Sequence, residues 1–345
     1  MDNTKYFDME FHRGGRDSRP ENTLYSYFYA IENGATTIEC DMQLTKDNVI
    51  VMSHNPILNA DITVDEFKNR IPKNKYFINQ LTLKELKRFN VGMMDKNCDY
   101  YKLHGKSQVA VDTTIPTLRE LFELVRDCSK DIRMNIETKT YPDKALGELY
   151  IHNSNMEIMV NEFYKLVKEF GFEKRVMLQS FDWSTLLMIK KLDPQIETVA
   201  LYCEEEAWGN DSMTLWLNKK EASPWLAGIN IHDFNDSPVE AAHYLGIDNI
   251  SPYFAELSKE DVIKAHSYNM KVIPWTVNKI EDMKMLYEMG VDGIISDKGW
   301  LLREFLESAG AKIYNKRDIE SKYKLEIDHY DIDDLHISNG EDASY

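Results

Sequence analysis

Residues 12–54 decide the fold, and four short motifs follow one another within them: His12-Arg13-Gly14-Gly15, Arg19-Pro20-Glu21-Asn22-Thr23, Ile38-Glu39-Cys40-Asp41 and Val51-Met52-Ser53-His54. Three short apolar runs each end where a histidine or a pair of carboxylates appears. Polar groups at the ends of parallel strands collect at one mouth of an α/β barrel. The stretch therefore predicts a site at such a mouth.

Short apolar and β-branched runs continue to alternate with amphipathic helical patterns along the chain. This alternation indicates a parallel sheet, and eight repeats close a (β/α)8 TIM barrel. We assign eight runs to the barrel: 7–12, 36–42, 133–139, 176–181, 198–203, 248–252, 271–277 and 293–297. Run 49–54 is expected to pair beside 36–42, and run 225–232 stays unassigned. Helices are predicted over 23–33, 117–129, 157–170, 183–191, 259–268, 279–289 and 300–309.

Single residues mark several of the predicted helix ends. Gly34, Gly171 and Gly290 stand where a helix would end in a left-handed residue. Asp182 and Ser258 stand where a side chain would cap the first turn of a helix.

Two segments depart from the barrel rhythm. Residues 55–116 contain one clear helical pattern, 82–89, so we predict a small insertion subdomain over the carboxyl-terminal mouth of a barrel domain spanning 1–312. Residues 313–345 form an acidic tail, in which 318–345 hold nine Asp or Glu against two Lys. We expect a loosely packed or disordered appendage, although its Tyr and Ile residues leave packing open.

The composition excludes several classes of partner. A net charge of −17 repels nucleic acid and anionic membranes. No apolar run approaches the roughly 20 residues that span a bilayer, and the first residues lack a secretory signal. We therefore expect a cytoplasmic protein, with a secreted one left open if a leader has been removed.

The four cysteines form no C-x-x-C pair, which excludes a disulfide scaffold or a thiolate zinc site of the usual spacing. The oligomeric state stays open.

Alternation along two strands points to a metal site. Glu39 and Asp41 share one strand face, and two carboxylates inside a barrel repel each other unless a cation lies between them. Oxygen ligands favour Mg²⁺ or Ca²⁺. Glu137 can supply a third carboxylate, and Lys139 can contact a phosphate oxygen. The alternatives are that the first pair reaches solvent at the strand end and that Glu137 and Lys139 form a simple salt bridge.

Two histidines close candidate strands on either side of these carboxylates. A lone histidine in such a place is more often structural, but His12 and His54 together suit acid–base chemistry near neutral pH. Hydrolysis of a phosphodiester needs one group to activate the attacking oxygen and another to protonate the leaving alkoxide. Arg13 offers a planar fork for the phosphoryl group.

Together these residues resemble the glycerophosphodiester phosphodiesterase family, whose fold is like that of the phosphatidylinositol phosphodiesterases. Nine motifs follow the family's order over about residues 7–308: His12-Arg13-Gly14, Pro20-Glu21-Asn22-Thr23, Glu39-x-Asp41, Thr45-Lys46-Asp47, Ser53-His54, Asn135-Ile136-Glu137-Thr138-Lys139, Gln179-Ser180-Phe181, Pro274-Trp275-Thr276-Val277-Asn278 and Gly290-Val291-Asp292-Gly293-Ile294-Ile295-Ser296-Asp297.

The resemblance implies a role for each residue of the site. The set comprises a divalent ion on Glu39, Asp41 and Glu137, an acid–base pair of His12 and His54, phosphate contacts from Arg13 and Lys139, and Trp275 lining the pocket for the alcohol. Core packing is the alternative for Trp275. The chain departs from the family in carrying Asn55 where Asp is usual, and in placing two further arginines, Arg16 and Arg19, near the first loop.

The expected reaction is metal-dependent hydrolysis of a small glycerophosphodiester to sn-glycerol 3-phosphate and an alcohol. His54 is favoured as the acid. The nucleophile is either water or the substrate's own 2-hydroxyl acting through a cyclic phosphate. One alternative is a lysophospholipase D or sphingomyelinase D type of activity, for which the insertion would have to supply an acyl groove. The other is a non-catalytic phosphodiester-binding protein, which would have no need of an acid–base pair.

Overall fold

A computed structural model describes residues 5–105, 107–142, 153–204 and 214–325. Nine strands form one sheet: β1 (Asp8–Phe11), β2 (Thr37–Leu44), β3 (Ile50–Met52), β4 (Arg133–Thr138), β5 (Val176–Ser180), β6 (Glu197–Tyr202), β7 (Asn249–Pro252), β8 (Lys271–Val272) and β9 (Gly293–Ser296). Their order is β8-β7-β6-β5-β4-β2-β1-β9, with neighbours parallel, while β3 pairs antiparallel with β2.

Backbone hydrogen bonds bridge the remaining gap between the first and last strands of that order. Ile295 donates to the carbonyl of Pro274 and Val277 donates to that of Ile295, each at 3.0 Å. The eight parallel strands therefore form a nearly closed barrel. The predicted TIM barrel is confirmed, and so is the pairing of run 49–54 beside 36–42.

Ten helices lie in the described part of the chain: α1 (Leu24–Glu32), α2 (Leu83–Leu86), α3 (Asp99–His104), α4 (Leu118–Cys128), α5 (Met156–Phe170), α6 (Trp183–Leu192), α7 (Pro238–Tyr244), α8 (Lys259–Ser267), α9 (Ile280–Met289) and α10 (Gly299–Ser308). Gly171 and Gly290 end their helices with φ of 66° and 92°. The side chains of Asp182 and Ser258 cap α6 and α8 as expected.

The main core lies between the barrel and its surrounding helices. Alternate residues of β2, Ile38, Cys40 and Met42, point outward into it, beside large buried side chains such as Phe122 and Trp183. The intervening residues of β2 therefore face the barrel interior. This division lets a single strand contribute to the apolar core and to a polar interior.

The structure differs from the sequence-based expectation in two short helices and one run. Helices α3 and α7 were not predicted, because six or seven residues show little of the 3.6-residue period. The unassigned run 225–232 forms two 3-10 turns, Pro224–Leu226 and Ile231–Phe234, instead of a strand. Ser223 caps the first of these turns, whose first residue is proline.

Residues 55–116 have a small apolar cluster of their own, which includes Leu58, Ile71 and Leu86. They leave the barrel after β3 and return beside the same strand, because Pro116 accepts a hydrogen bond from Met52 at 2.8 Å. We propose on these grounds that 55–116 is an insertion subdomain.

The start of the acidic tail packs against the amino-terminal end of the barrel. Arg317 donates its backbone N–H to the carbonyl of Glu32 at 2.8 Å, and Arg303 donates to the carbonyl of Tyr314 at 2.8 Å. The rings of Tyr25 and Tyr323 lie 5.3 Å apart. The predicted loose tail from residue 326 onward lies outside the described residues. Within the described part of the chain, no helix is both long and apolar enough to cross a membrane.

Candidate active site

Three buried carboxylates converge at the carboxyl-terminal mouth of the barrel. The register of β2 against β4 pairs Asp41 with Glu137 and Glu39 with Asn135. One ligand atom from each of Glu39, Asp41 and Glu137 lies within 4.8 Å of the other two. Glu39 and Asp41 are at most 1% exposed, so the alternative in which they reach solvent is wrong.

The cluster carries more negative charge than a buried site tolerates alone. Burial and the repulsion from Asp41 raise the pKa of Glu39 well above its usual value. Burial also raises the pKa of Glu137 to about 7, although Lys139 opposes the shift. One oxygen of Asp41, Oδ1, is buried and accepts no hydrogen bond from the described residues, although the Lys139 ammonium forms an ion pair with it. Three convergent carboxylates with such an oxygen fit a hard divalent ion such as Mg²⁺ or Ca²⁺.

Two cations lie against the same carboxylates. The Lys139 ammonium is 2.6 Å from Glu137 and 3.1 Å from Asp41, so the simple salt bridge considered above does form. The Arg13 Nε is 3.4 Å from the other oxygen of Asp41. Although burial alone would raise the pKa of Asp41, Lys139, His54 and Arg13 hold it well below its usual value.

His12 follows β1 directly and is held by a carboxylate from the far end of the chain. Its Nδ1 lies 2.5 Å from Oδ1 of Asp297, and its Nε2 lies 3.8 Å from Glu39. Burial lowers the pKa of His12 to about 4, although Asp297 opposes the shift. Asp297 in turn accepts two hydrogen bonds from Arg16, at 2.6 and 3.1 Å, and one from Asn278 at 2.9 Å.

His54 reaches the site from the β2–β3 hairpin instead of from a barrel strand. The preceding Ser53 donates its backbone N–H to the carbonyl of Asp41 at 2.9 Å, which ties the hairpin to the cluster. Nδ1 of His54 lies 2.7 Å from Oδ1 of Asn55. Burial and the positive charges of Arg13 and Lys139 hold the pKa of His54 well below its usual value.

Comparison with known proteins identifies the family. The model of the glycerophosphoryl diester phosphodiesterase family matches residues 12–299. The chain belongs to this family. The family predicted from the sequence is confirmed, and with it the expectation of an enzyme that acts on phosphodiesters.

Relatives of the phosphodiesterase family match over nearly their whole length. A glycerophosphodiester phosphodiesterase from Caldanaerobacter subterraneus is 28% identical, covering 87% of this chain and 97% of its own. One from Bacillus altitudinis is 29% identical over 83% and 92% of the two chains. A provisionally named glycerophosphoryl diester phosphodiesterase from Silicibacter pomeroyi is 26% identical, covers 90% of this chain and 96% of its own, and superposes with a TM-score of 0.75.

The other half of this family member's barrel mouth is aromatic. Trp275 follows β8, and its ring lies 5.5 Å from the rings of Phe181, after β5, and Tyr253, after β7. Its indole N–H donates to the carbonyl of Ser251 at 2.9 Å, and the side chain is half-buried. Trp275 therefore packs against its neighbours and also lies beside the mouth.

Several residues that contact the phosphodiesterase site were not assigned a role from the sequence. Asp297 holds His12, Gln179 donates to Glu39 at 2.7 Å, and Asn22 donates to Asp41 at 2.9 Å. Each stands in one of the motifs quoted above, so the motif gave their importance but not their partners. Arg19 lies over the ring of Tyr29, 4.7 Å from its centroid, and donates to the backbone carbonyl of Ser18.

Proposed function

We propose that the chain hydrolyses glycerophosphodiesters to sn-glycerol 3-phosphate and an alcohol, with a divalent metal and two histidines as base and acid. One observation carries the proposal: two imidazoles and two cations lie beside three buried, convergent carboxylates. A protein that only bound phosphodiesters would need the cations but not a pair of imidazoles beside the proposed metal ligands.

Glu39, Asp41 and Glu137 are the proposed ligands of one Mg²⁺ or Ca²⁺. When bound, such an ion supplies positive charge that polarises a phosphoryl oxygen. Arg13 and Lys139 lie beside the same carboxylates and are placed to neutralise the remaining charge of the phosphate. The anionic phosphate would thus occupy the charged half of the mouth.

The partners of the two histidines favour different tasks. A carboxylate stabilises the imidazolium that forms when a base takes up a proton, and His12 has such a partner in Asp297. His54 has a neutral amide as its partner, which leaves a proton on His54 easier to give away. We therefore propose His12 as the base that activates the nucleophile and His54 as the acid that protonates the leaving alkoxide.

The alcohol part of the substrate would lie over the aromatic half of the mouth. Trp275, Phe181 and Tyr253 present rings there, after strands β8, β5 and β7 of the barrel. These rings would then contact the alcohol, while the charged residues contact the phosphate.

The test is turnover of glycerophosphocholine and of lysophosphatidylcholine by the full chain, with and without Mg²⁺ or Ca²⁺ after chelation. We expect metal-dependent release of sn-glycerol 3-phosphate from the first compound, abolished by His12→Ala and by His54→Ala. His243→Ala is a matched control, because His243 stacks on Tyr268 at 3.9 Å, outside the described site. Cleavage of the lipid alone would contradict the substrate. Activity that survives either site substitution would contradict the mechanism. Phosphorus NMR during turnover distinguishes a cyclic phosphate from direct attack by water.

A further inference from the structure

The insertion reaches the phosphate-contacting arginine through one carboxylate, that of Glu21. Helix α3 places Tyr100 so that its hydroxyl donates to Oε2 of Glu21 at 2.6 Å. The other oxygen of Glu21, Oε1, accepts a hydrogen bond from the Arg13 guanidinium at 3.1 Å. Glu21 is 10% exposed and Arg13 is buried, so this contact is largely shielded from water.

The same segment is fastened to the first loop at further points. Ser107 donates to Asp17 at 2.9 Å, and Gln108 donates to the carbonyl of Arg16 at 2.5 Å. The ring of Tyr100 also packs on His104 at 4.7 Å. Several hydrogen bonds thus hold α3 in one place over the loop between β1 and α1. The hydroxyl of Tyr100 is consequently fixed relative to Glu21.

The backbone of Arg13 is held by hydrogen bonds to Glu39 and Asn22, whereas its guanidinium has few polar partners besides the ion pair with Asp41. Its backbone is in the left-handed region, at φ 49°, and its Nε makes no hydrogen bond to the described residues. Glu21 is the one described group that accepts a hydrogen bond from the guanidinium. The carboxylate of Glu21 could rotate between Arg13 and the nearby Arg16, whose NH1 is 3.8 Å from Oε2. The Tyr100 hydroxyl, by engaging Oε2, leaves Oε1 to Arg13.

We propose that Tyr100 is a positioning residue that sets the affinity for the phosphate group by fixing Glu21 and through it Arg13. The insertion thereby takes part in phosphate binding. The inference rests on the proposed function, in which Arg13 contacts the phosphate. It concerns substrate binding more than the chemical step, because neither histidine contacts Tyr100 or Glu21 among the described hydrogen bonds.

The test compares Tyr100→Phe with Tyr101→Phe in the full chain saturated with Mg²⁺. Phenylalanine keeps the ring contacts and removes the hydroxyl, while no described residue bonds the hydroxyl of Tyr101. We expect Tyr100→Phe to weaken binding of sn-glycerol 3-phosphate, measured by calorimetry, about fivefold and to raise KM similarly, because a hydrogen bond to a charged group is lost. Tyr101→Phe should change neither quantity, and kcat should stay within about twofold in both variants.

A double-mutant cycle distinguishes positioning from general packing. If Tyr100 acts through Glu21, Tyr100→Phe should have no further effect on phosphate affinity in a Glu21→Gln background. An effect of the same size in both backgrounds, or unaltered affinity in Tyr100→Phe alone, would overturn the inference. Arg13→Ala distinguishes failure of the inference about Tyr100 from failure of the proposed function. If Arg13→Ala lowers the affinity for sn-glycerol 3-phosphate and Tyr100→Phe does not, only the inference is refuted. Unaltered affinity in Arg13→Ala refutes the role of Arg13 and the inference with it.

Discussion

Replacing Asp297 by asparagine tests the proposed base most directly. The carboxylate is buried, and its Oδ1 lies 2.5 Å from Nδ1 of His12. An imidazolium formed during catalysis would interact with that charge by about 4 kcal/mol, taking roughly 4 Å between charge centres and an effective dielectric constant of about 20. Asparagine keeps the shape and removes the charge. We therefore expect kcat to fall by about 10²- to 10³-fold.

The pH profile gives a second readout that a loss of packing would not produce. A base works only when deprotonated, so activity falls below its pKa. Asp297 raises the pKa of His12 against the effect of burial. Removing the carboxylate lowers that pKa, and the acid limb of kcat/KM should move to lower pH.

Two controls make the experiment decisive. Asp297→Asn also removes the carboxylate that accepts two hydrogen bonds from Arg16, which costs about 3 kcal/mol of stability. The thermal transition of the variant must therefore be measured and kcat taken on folded protein. Asp292→Asn is the matched control, because Asp292 accepts a hydrogen bond from His266 at 2.9 Å in an exposed pair. Folded Asp297→Asn with kcat within about threefold of the wild type would refute the role of Asp297.

Three further outcomes are expected. Glu39→Ala should abolish binding of Mg²⁺ or Ca²⁺ as well as activity, whereas His12→Ala should abolish activity alone; equal binding in a calorimetric titration would contradict the ligand assignment. Asn55→Asp places a negative charge beside His54 and raises the pKa of that histidine, so the basic limb of kcat/KM should move to higher pH. An unchanged basic limb would rule out His54 as the acid. Gly34→Ala should lower the free energy of unfolding, measured in urea, by about 3 kcal/mol, and Gly171→Ala should lower it by about 1 kcal/mol. Both glycines have positive φ, but only at the first would the added Cβ meet the tail, 2.5 Å from a backbone oxygen; equal losses would contradict the packing of the tail.

The sequence predicted the parts of the fold that depend on short-range periodicity. Alternation along β2 separated Ile38 and Cys40 from Glu39 and Asp41, and the structure places the first pair in the core and the second in the barrel interior. Ordering of the strands followed from the βαβ repeat, which leaves one common topology. Short helices such as α7 were not predicted, because too few residues are present to show the helical period.

The contacts within the site could not be predicted in the same way. His12 and Asp297 are 285 positions apart, and nothing in either motif names the other. Their meeting depends on β1 and β9 becoming neighbours when the barrel closes. Likewise, the contact of Tyr100 with Glu21 depends on where the insertion folds back, which the local sequence does not encode.

The return of the insertion to its point of departure has a consequence for how such enzymes diversify. Residues 55–116 leave after His54 and come back at Pro116, which bonds to Met52, while Val51 bridges Thr117. Entry and exit are thus about one strand spacing, roughly 5 Å, apart. A segment attached in this way can be exchanged or shortened without straining the strands beneath it. A replacement segment that keeps the phosphate affinity would need a hydroxyl group in hydrogen-bond distance of Glu21, in the place of Tyr100. The rest of the segment could then vary.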